Sequence, residues 1–241
     1  LFIEEQERMN FMKLKKVLAC ALALGILSGC GGDKTETKKE EPKQETKIEE
    51  STSKEEKEEE KAEEVVEEID ISDPKSIGKT MSNEAIEYKV TKAGYTSNSF
   101  KTGPFEITIA GASMGNLTVK DETLEAFTGE MKEVPSIIIA ATIENTSDEK
   151  IDFFFGQSSL TTNTKEQLEF DPYLSQPDGE YLGNVEKDVI MVYHPKSNLD
   201  EIKEIKLYPH APFSSEKVEN VGEEITVTIK FNDKGEVESI S

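Results

Sequence analysis

The sequence predicts an all-β antiparallel sandwich, set behind a leader segment and a charged tether. Three observations carry this expectation. Apolar and polar residues alternate over short segments from about residue 81 onward, as half-buried strands require. Ile137 to Ile143 (IIIAATI) is a β-branched run of buried-strand type, and clusters such as "ENTSDEK" punctuate the strands as turns. The composition also breaks near residue 80: all six tyrosines and nine of the eleven phenylalanines follow it. That length suits one domain with a sizeable core.

The elements run in order. Residues 1–11 fit a leader poorly, because Glu4, Glu5 and Glu7 precede the basic segment; translation is expected to begin at Met9 or Met12. Residues 12–29 have the three-part pattern of a secretory signal. Lys13, Lys15 and Lys16 stand before Val17–Leu27, eleven residues without a charge, and small residues follow. At about 1.5 Å per residue this run is too short for a hydrocarbon core of roughly 30 Å.

The end of that run, Leu27-Ser28-Gly29-Cys30, resembles the lipobox of bacterial lipoproteins. The resemblance implies a diacylglyceryl group on the Cys30 sulfur and cleavage just before it. A fatty acyl chain such as palmitate binds membranes only marginally alone, at about 0.8 kcal/mol per buried methylene, whereas two chains anchor stably. The implied location is the outer face of the cytoplasmic membrane. Cys20 would leave with the leader, so no disulfide or thiolate metal site is expected in the mature chain.

Residues 30–80 read as a disordered tether. Gly31 to Thr80 holds 10 lysines against 18 acidic residues, a net of −8, and few apolar groups to offset chain entropy. Fifty coil residues span roughly 40 Å root-mean-square. Lys54–Ile69 has helix formers and Lys/Glu pairs at helical spacing, which favours a transient solvated helix.

Residues 81–241 form the expected domain. Ile86, Tyr88 and Val90 mark one strand, Phe105, Ile107 and Ile109 a second, and Leu117 and Val119 a continuation. Between them "GASMG" (Gly111–Gly115) marks a strand bend. Asp121–Phe127 is a short helix candidate. Further strands are expected at Ile137–Ile143, Ile151–Phe155, Val189–Tyr193, Ile202–Leu207 and Ile225–Phe231, with a hairpin turn at Asn232–Gly235 before a last strand. "IIIAATIENTSDEKIDFFFGQSSLTTNTKEQLEFDP", "YLGNVEKDVIMVYHP" and "LDEIKEIKLY" resemble the small immunoglobulin-like domains of many Gram-positive lipoproteins. The same fold class includes a secreted mycobacterial immunoprotective antigen. The resemblance covers roughly Glu87 to Lys230 and implies an immunoglobulin-like sandwich of unknown function, with no site residues to transfer. The Cys…Trp…Cys signature of antibody domains is missing, which leaves sandwich architecture alone.

The chemistry in the sequence is sparse. His194 and His210 each sit beside a proline with no ligand-type neighbour in sequence, so no metal site is expected. Asp171, Asp178 and Glu180 do not match an EF-hand spacing. Ser158 and Ser159 in "GQSSL" lack the second glycine of a nucleophile elbow. No phosphate-cradling loop is visible, and no cofactor is expected. The domain from Ser82 nets −15. That charge excludes nucleic acid and repels anionic wall polymers.

Two features suit a binding surface. A strand through Phe153-Phe154-Phe155 would carry rings on both faces, which leaves Phe154 either exposed or covered by a loop. The loop Asp171–Asn184 carries Tyr173 and Tyr181; tyrosine loops at the end of a sandwich are recognition sites, and packing over the core rim is the alternative. The expected function is therefore a non-enzymatic, lipid-anchored extracytoplasmic interaction protein. Its partners would be the membrane, through diacylglyceryl-Cys30, and another surface protein or wall component. A structural or protective surface lipoprotein is the alternative; a calcium module or an enzyme ranks below both.

Overall fold

The computed structural model describes residues 70–82, 86–120 and 133–241. The leader, the Cys30 motif and the expected helices at 54–69 and 121–127 lie outside the described residues. What is described is nearly all β, with short 3-10 turns at Pro74–Ser76, Phe155–Gln157 and Leu199–Glu201.

Six strands make the largest sheet: β1 (Thr80–Ser82), β2 (Ile86–Gly94), β3 (Ser99–Thr102), β4 (Phe105–Val119), β5 (Glu133–Asn145) and β10 (Val185–Tyr193). Their order is β1-β2-β4-β5-β10, with β3 paired on β4. A second sheet runs β15 (Val237–Ile240), β14 (Val227–Phe231), β11 (Glu204–Tyr208), β7 (Ser159–Thr162) and β8 (Gln167–Leu168). A third, of two-residue strands, runs β13 (Glu219–Asn220), β12 (Phe213–Ser214), β6 (Ile151–Asp152) and β9 (Glu180–Tyr181). The strand pairs are antiparallel, as alternating sequences with short turns favour.

β4 joins the two expected strands into one of fifteen residues. The "GASMG" bend is a register shift between Ile109 and Gly111. That shift reverses which face each parity addresses. Phe105, Ile107 and Ile109 point into the inner core, and after the shift Ala112 and Met114 take that side. Leu117 and Val119 turn to the outer face. Gly115 is required by close approach: a side chain there would collide with the Lys89 carbonyl and the Tyr88 ring.

The inner core is shared by all three sheets, which makes the fold a sandwich. Ile107, Ile139, Ile143 and Met191 of the large sheet meet Leu160, Ile205, Leu207 and Ile229 of the second, and Ile151 and Tyr181 of the third. Each fully buried aliphatic chain contributes roughly 1.5–3 kcal/mol. The outer face of the large sheet is also buried, with Tyr88, Val90, Leu117, Ile138, Ile190 and Val192 clustered with Ile71.

Ile71 corrects the expected start of the domain. It is 1 % exposed in that outer cluster, ten residues inside the stretch read as tether. The Asp73 side chain accepts the Lys75 amide and caps the 3-10 turn behind it. The expected strand Ile151–Phe155 is also shorter. It ends at Asp152: the Phe153 amide still donates to the Gly179 carbonyl in the same register, but Phe155–Gln157 then turns as 3-10 helix. The tail hairpin forms where expected: Gly235 sits at φ +81°, and Asn232 Oδ1 accepts the amides of Lys234 and Glu236.

Candidate functional site

The loop between β8 and β10 crosses the free edge of β10. The Asp171 amide donates to the Val192 carbonyl at 2.8 Å, and the Gln176 amide to the Ile190 carbonyl at 2.8 Å. In return the Ile190 amide donates to Gln176 O at 3.3 Å and the Val192 amide to Ser175 Oγ at 2.9 Å. Residues 171–176 therefore form a strap that satisfies both groups of both outward-facing residues, the usual defence of an exposed sheet edge.

Asp171 shapes the strap. Its Oδ1 accepts the amides of Tyr173 at 2.7 Å and Leu174 at 3.1 Å, an Asx turn that follows from an aspartate before proline. Leu174 packs on the outer core, and Tyr173 is 65 % exposed. The other oxygen, Oδ2, lies 3.0 Å from His194 Nε2. Burial pushes the Asp171 carboxyl up, but the bonds from His194, Tyr173 and Leu174 outweigh it and hold the group below the usual carboxylate range.

His194 has no ligand-type neighbour in sequence, and its carboxylate partner is brought in by the fold: Asp171 is 23 residues away. Its ring also reaches β5, with Nδ1 at 3.1 Å from Ser136 Oγ and 3.3 Å from the Pro135 carbonyl. The Ser–His–Asp composition invites comparison with a hydrolytic triad, but the chemistry differs. Ser136 is 0 % exposed, and its hydroxyl donates to the Val134 carbonyl at 3.0 Å. A nucleophile must reach its substrate, and this oxygen meets only protein. Ser158 and Ser159 are spent elsewhere, on the Phe155 carbonyl and on Glu169. His210 is exposed.

The second half of the loop is built on Asp178. Its Oδ1 accepts the Gly156 amide at 2.8 Å and its Oδ2 the Tyr181 hydroxyl at 2.7 Å. Burial raises the Asp178 carboxyl to about 6, against the lowering effect of those bonds. Tyr181 does not face a ligand. It is 0 % exposed, edge-on to the Phe105 ring at 5.1 Å, with Lys187 Nζ 4.6 Å from its ring centre. Its ring is core because Asp178 satisfies the hydroxyl; burial raises that phenol, and the Asp178 charge adds to the rise. Phe153 and Phe155 are buried in the same aromatic cluster, and Phe154 is 43 % exposed beside Gly179. The three predicted contact residues thus divide. Tyr173 and Phe154 reach the surface and Tyr181 does not.

The carboxylates in the loop serve separate partners: His194 for Asp171, Tyr181 for Asp178 and Lys150, at 2.5 Å, for Glu180. Among the described residues no group of three His, Cys, Asp or Glu could hold a metal ion, and no helix is long and apolar enough to cross a membrane.

No family model matches the chain. A curated relative, the SPbeta prophage-derived uncharacterized lipoprotein YonS of Bacillus subtilis (strain 168), is 25 % identical over 168 residues, 68 % of this chain and 75 % of that protein. Two solved structures are similar at 14 % identity. The yjhA protein from Bacillus subtilis is covered over 96 % of its chain and 55 % of this one, with a TM-score of 0.37. A conserved hypothetical protein from Bacillus anthracis is covered over 93 %, and 54 % of this chain, with a TM-score of 0.34.

Proposed function

We propose that this chain is a lipid-anchored extracytoplasmic interaction protein. A diacylglyceryl group on Cys30 holds it at the outer face of the cytoplasmic membrane, residues 30–69 act as a tether, and the folded domain contacts a surface protein or wall component. The sequence similarity to a lipoprotein and the Leu27–Cys30 motif support the anchor. One observation carries the interaction role: Tyr173 stands 65 % exposed on a backbone fixed from both sides by the Asx turn and the β10 edge. A large ring carried on a backbone already fixed in the free protein loses little backbone entropy on binding. The immunoglobulin-like assignment of the domain belongs to the same proposal, supported by antiparallel sheets that share one core. The role is non-enzymatic; the buried Ser136 hydroxyl, bonded to the Val134 carbonyl, supports this.

The anchor is tested by growth on labelled palmitate, where Cys30→Ala should lose label and membrane association. The interaction role is tested by a photo-crosslinker placed at Tyr173 on intact cells. A discrete adduct that weakens with Phe154→Ala supports it; no adduct above background sinks it. A structural or protective role is the second reading, favoured by the tether's charge. Deletion of Lys34–Glu68 should abolish a spacer function but leave a loop contact intact at shorter reach.

A further inference from the structure

The second sheet buries Leu160, Ile205, Leu207 and Ile229 on its inner side. Its register sets Ser159 and Thr161 of β7 beside Lys206 and Tyr208 of β11 on the opposite side. Tyr208 is 41 % exposed there. It pairs with Ser159, yet its hydroxyl lies 3.4 Å from Thr161 Oγ1, two residues along β7. The ring therefore leans along the sheet rather than standing away from it, with its rim tied at Thr161 and a face left to solvent. The charges around it cancel. Lys206 and Lys230 both lie on Glu204, at 3.4 Å and 3.5 Å, and Glu169 accepts the Ser159 hydroxyl at 3.0 Å, which makes two cations and two carboxylates. In a domain that nets −15, this face is locally neutral.

We propose that this face binds a neutral glycan strand: the Tyr208 ring stacks on the C–H face of a sugar, and the Thr161, Gln167 and Glu169 side chains bond its hydroxyls. The match is chemical. A β-linked sugar with equatorial substituents has a flat apolar face and a rim of hydroxyls that both donate and accept. The sheet offers the counterpart, one flat-lying ring beside a hydroxyl, an amide and a carboxylate, with Gln167 Nε2 3.4 Å from Glu169 Oε1. A tyrosine supplies such contact area at low entropy cost. A protein partner would want an apolar centre larger than a single ring. Nucleic acid needs a basic footprint, and here the lysines are already matched by carboxylates. The proposal gives the chemistry of one kind of wall component, and it does not rest on the contact at Tyr173.

The experiment is saturation-transfer NMR on the full chain in detergent micelles, with aromatic protons saturated and two probes read in turn, a β-linked hexamer of N-acetylglucosamine and one of glucose. At least one should receive magnetisation, strongest at the axial ring C–H protons. Tyr208→Ala should cut the transfer about fivefold or more, the loss of one stacked ring. Tyr208→Phe keeps the ring and should stay within about twofold of wild type. Thr161→Arg leaves the tyrosine in place but fills the space beside it, and should abolish the signal. Salt at 0.5 M should change it by less than about twofold, because the ligand is neutral. Tyr173→Ala should leave it unchanged, which separates this face from the loop contact. No transfer to either hexamer, transfer that survives in Tyr208→Ala or Thr161→Arg, or transfer abolished by salt overturns the proposal.

Discussion

Asp178 keeps both carboxylate oxygens in use while it is largely withdrawn from water. Its amide and phenol partners do not compensate for lost solvation, so its carboxyl titrates at about 6. A proton therefore binds the folded chain more tightly than the unfolded one. The stability this contributes is fully present below the ordinary aspartate range and is lost as pH rises through about 6. Asp178→Asn should remove that slope, which after solvent screening amounts to roughly 1–2 kcal/mol. Urea midpoints between about pH 4 and about pH 7 measure it; an unchanged slope in the variant would assign it to another group. The same residue explains what the sequence could not give about the site. In sequence Tyr173 and Tyr181 read alike, as rings on one loop that either meet solvent or pack over the core rim; Tyr173 is the exposed one, next to the Asx turn at Asp171. Tyr181 was not legible as core, since its burial depends on Asp178 and on Phe105, far away in sequence. The pairing of Asp171 with His194 was hidden for the same reason: it exists only once the strap lies on β10.

Pattern is enough to find an element whenever its strand is long. The alternation at Ile86, Tyr88 and Val90 marks β2, and the β-branched run marks β5. Pattern fails at β9, β12 and β13, where two residues carry no period, and at β4, where apolar odd positions run on both sides of a register shift that swaps their faces. It also overcounted at Phe153–Phe155, where apolar content alone resembled a strand. Register exposes a conflict that composition hides. Glu106 of β4 pairs with Glu144 of β5, which pairs with Glu186 of β10, so three carboxylates stand in one row across neighbouring strands. Lys101, 3.1 Å from Glu106, relieves one end only. Like charges directly opposite destabilise a sheet. Glu144→Lys should therefore stabilise the domain by about 0.5–1 kcal/mol, read as a higher urea midpoint at unchanged slope. A midpoint that stays put or falls would mean that solvent already screens the row.

Over the whole molecule, long-range polar ties close what the core brings together. A second register shift, between Val90 and Lys92, turns Lys92 inward, where it is 4 % exposed. Its Nζ donates to the Leu199 and Ile202 carbonyls at 2.5 Å each and reaches Asp200 O at 3.4 Å, joining β2 to a turn 107 residues away. Burial lowers its ammonium to about 8, with Lys203 adding to the shift and Asp200 opposing it. The contribution to stability is therefore present above the ordinary lysine range and is lost as pH falls through about 8. Lys92→Met should cost about 2 kcal/mol through orphaned carbonyls, and should flatten stability between about pH 8 and about pH 10. Retained stability in chemical denaturation would show that water replaces the ammonium. Two more ties span still longer stretches: Thr102 Oγ1 donates to Glu223 O across 121 residues, and Asn98 Nδ2 to Ile240 O across 142. A chain that emerges amino end first can thus make β2, β4 and β5 early, yet must wait for β15 before these locks engage. Such topology slows folding, because loop closure precedes the contacts that reward it. Until residues near 240 arrive, the half-built sheet stays a target for whatever chaperone or protease meets it first.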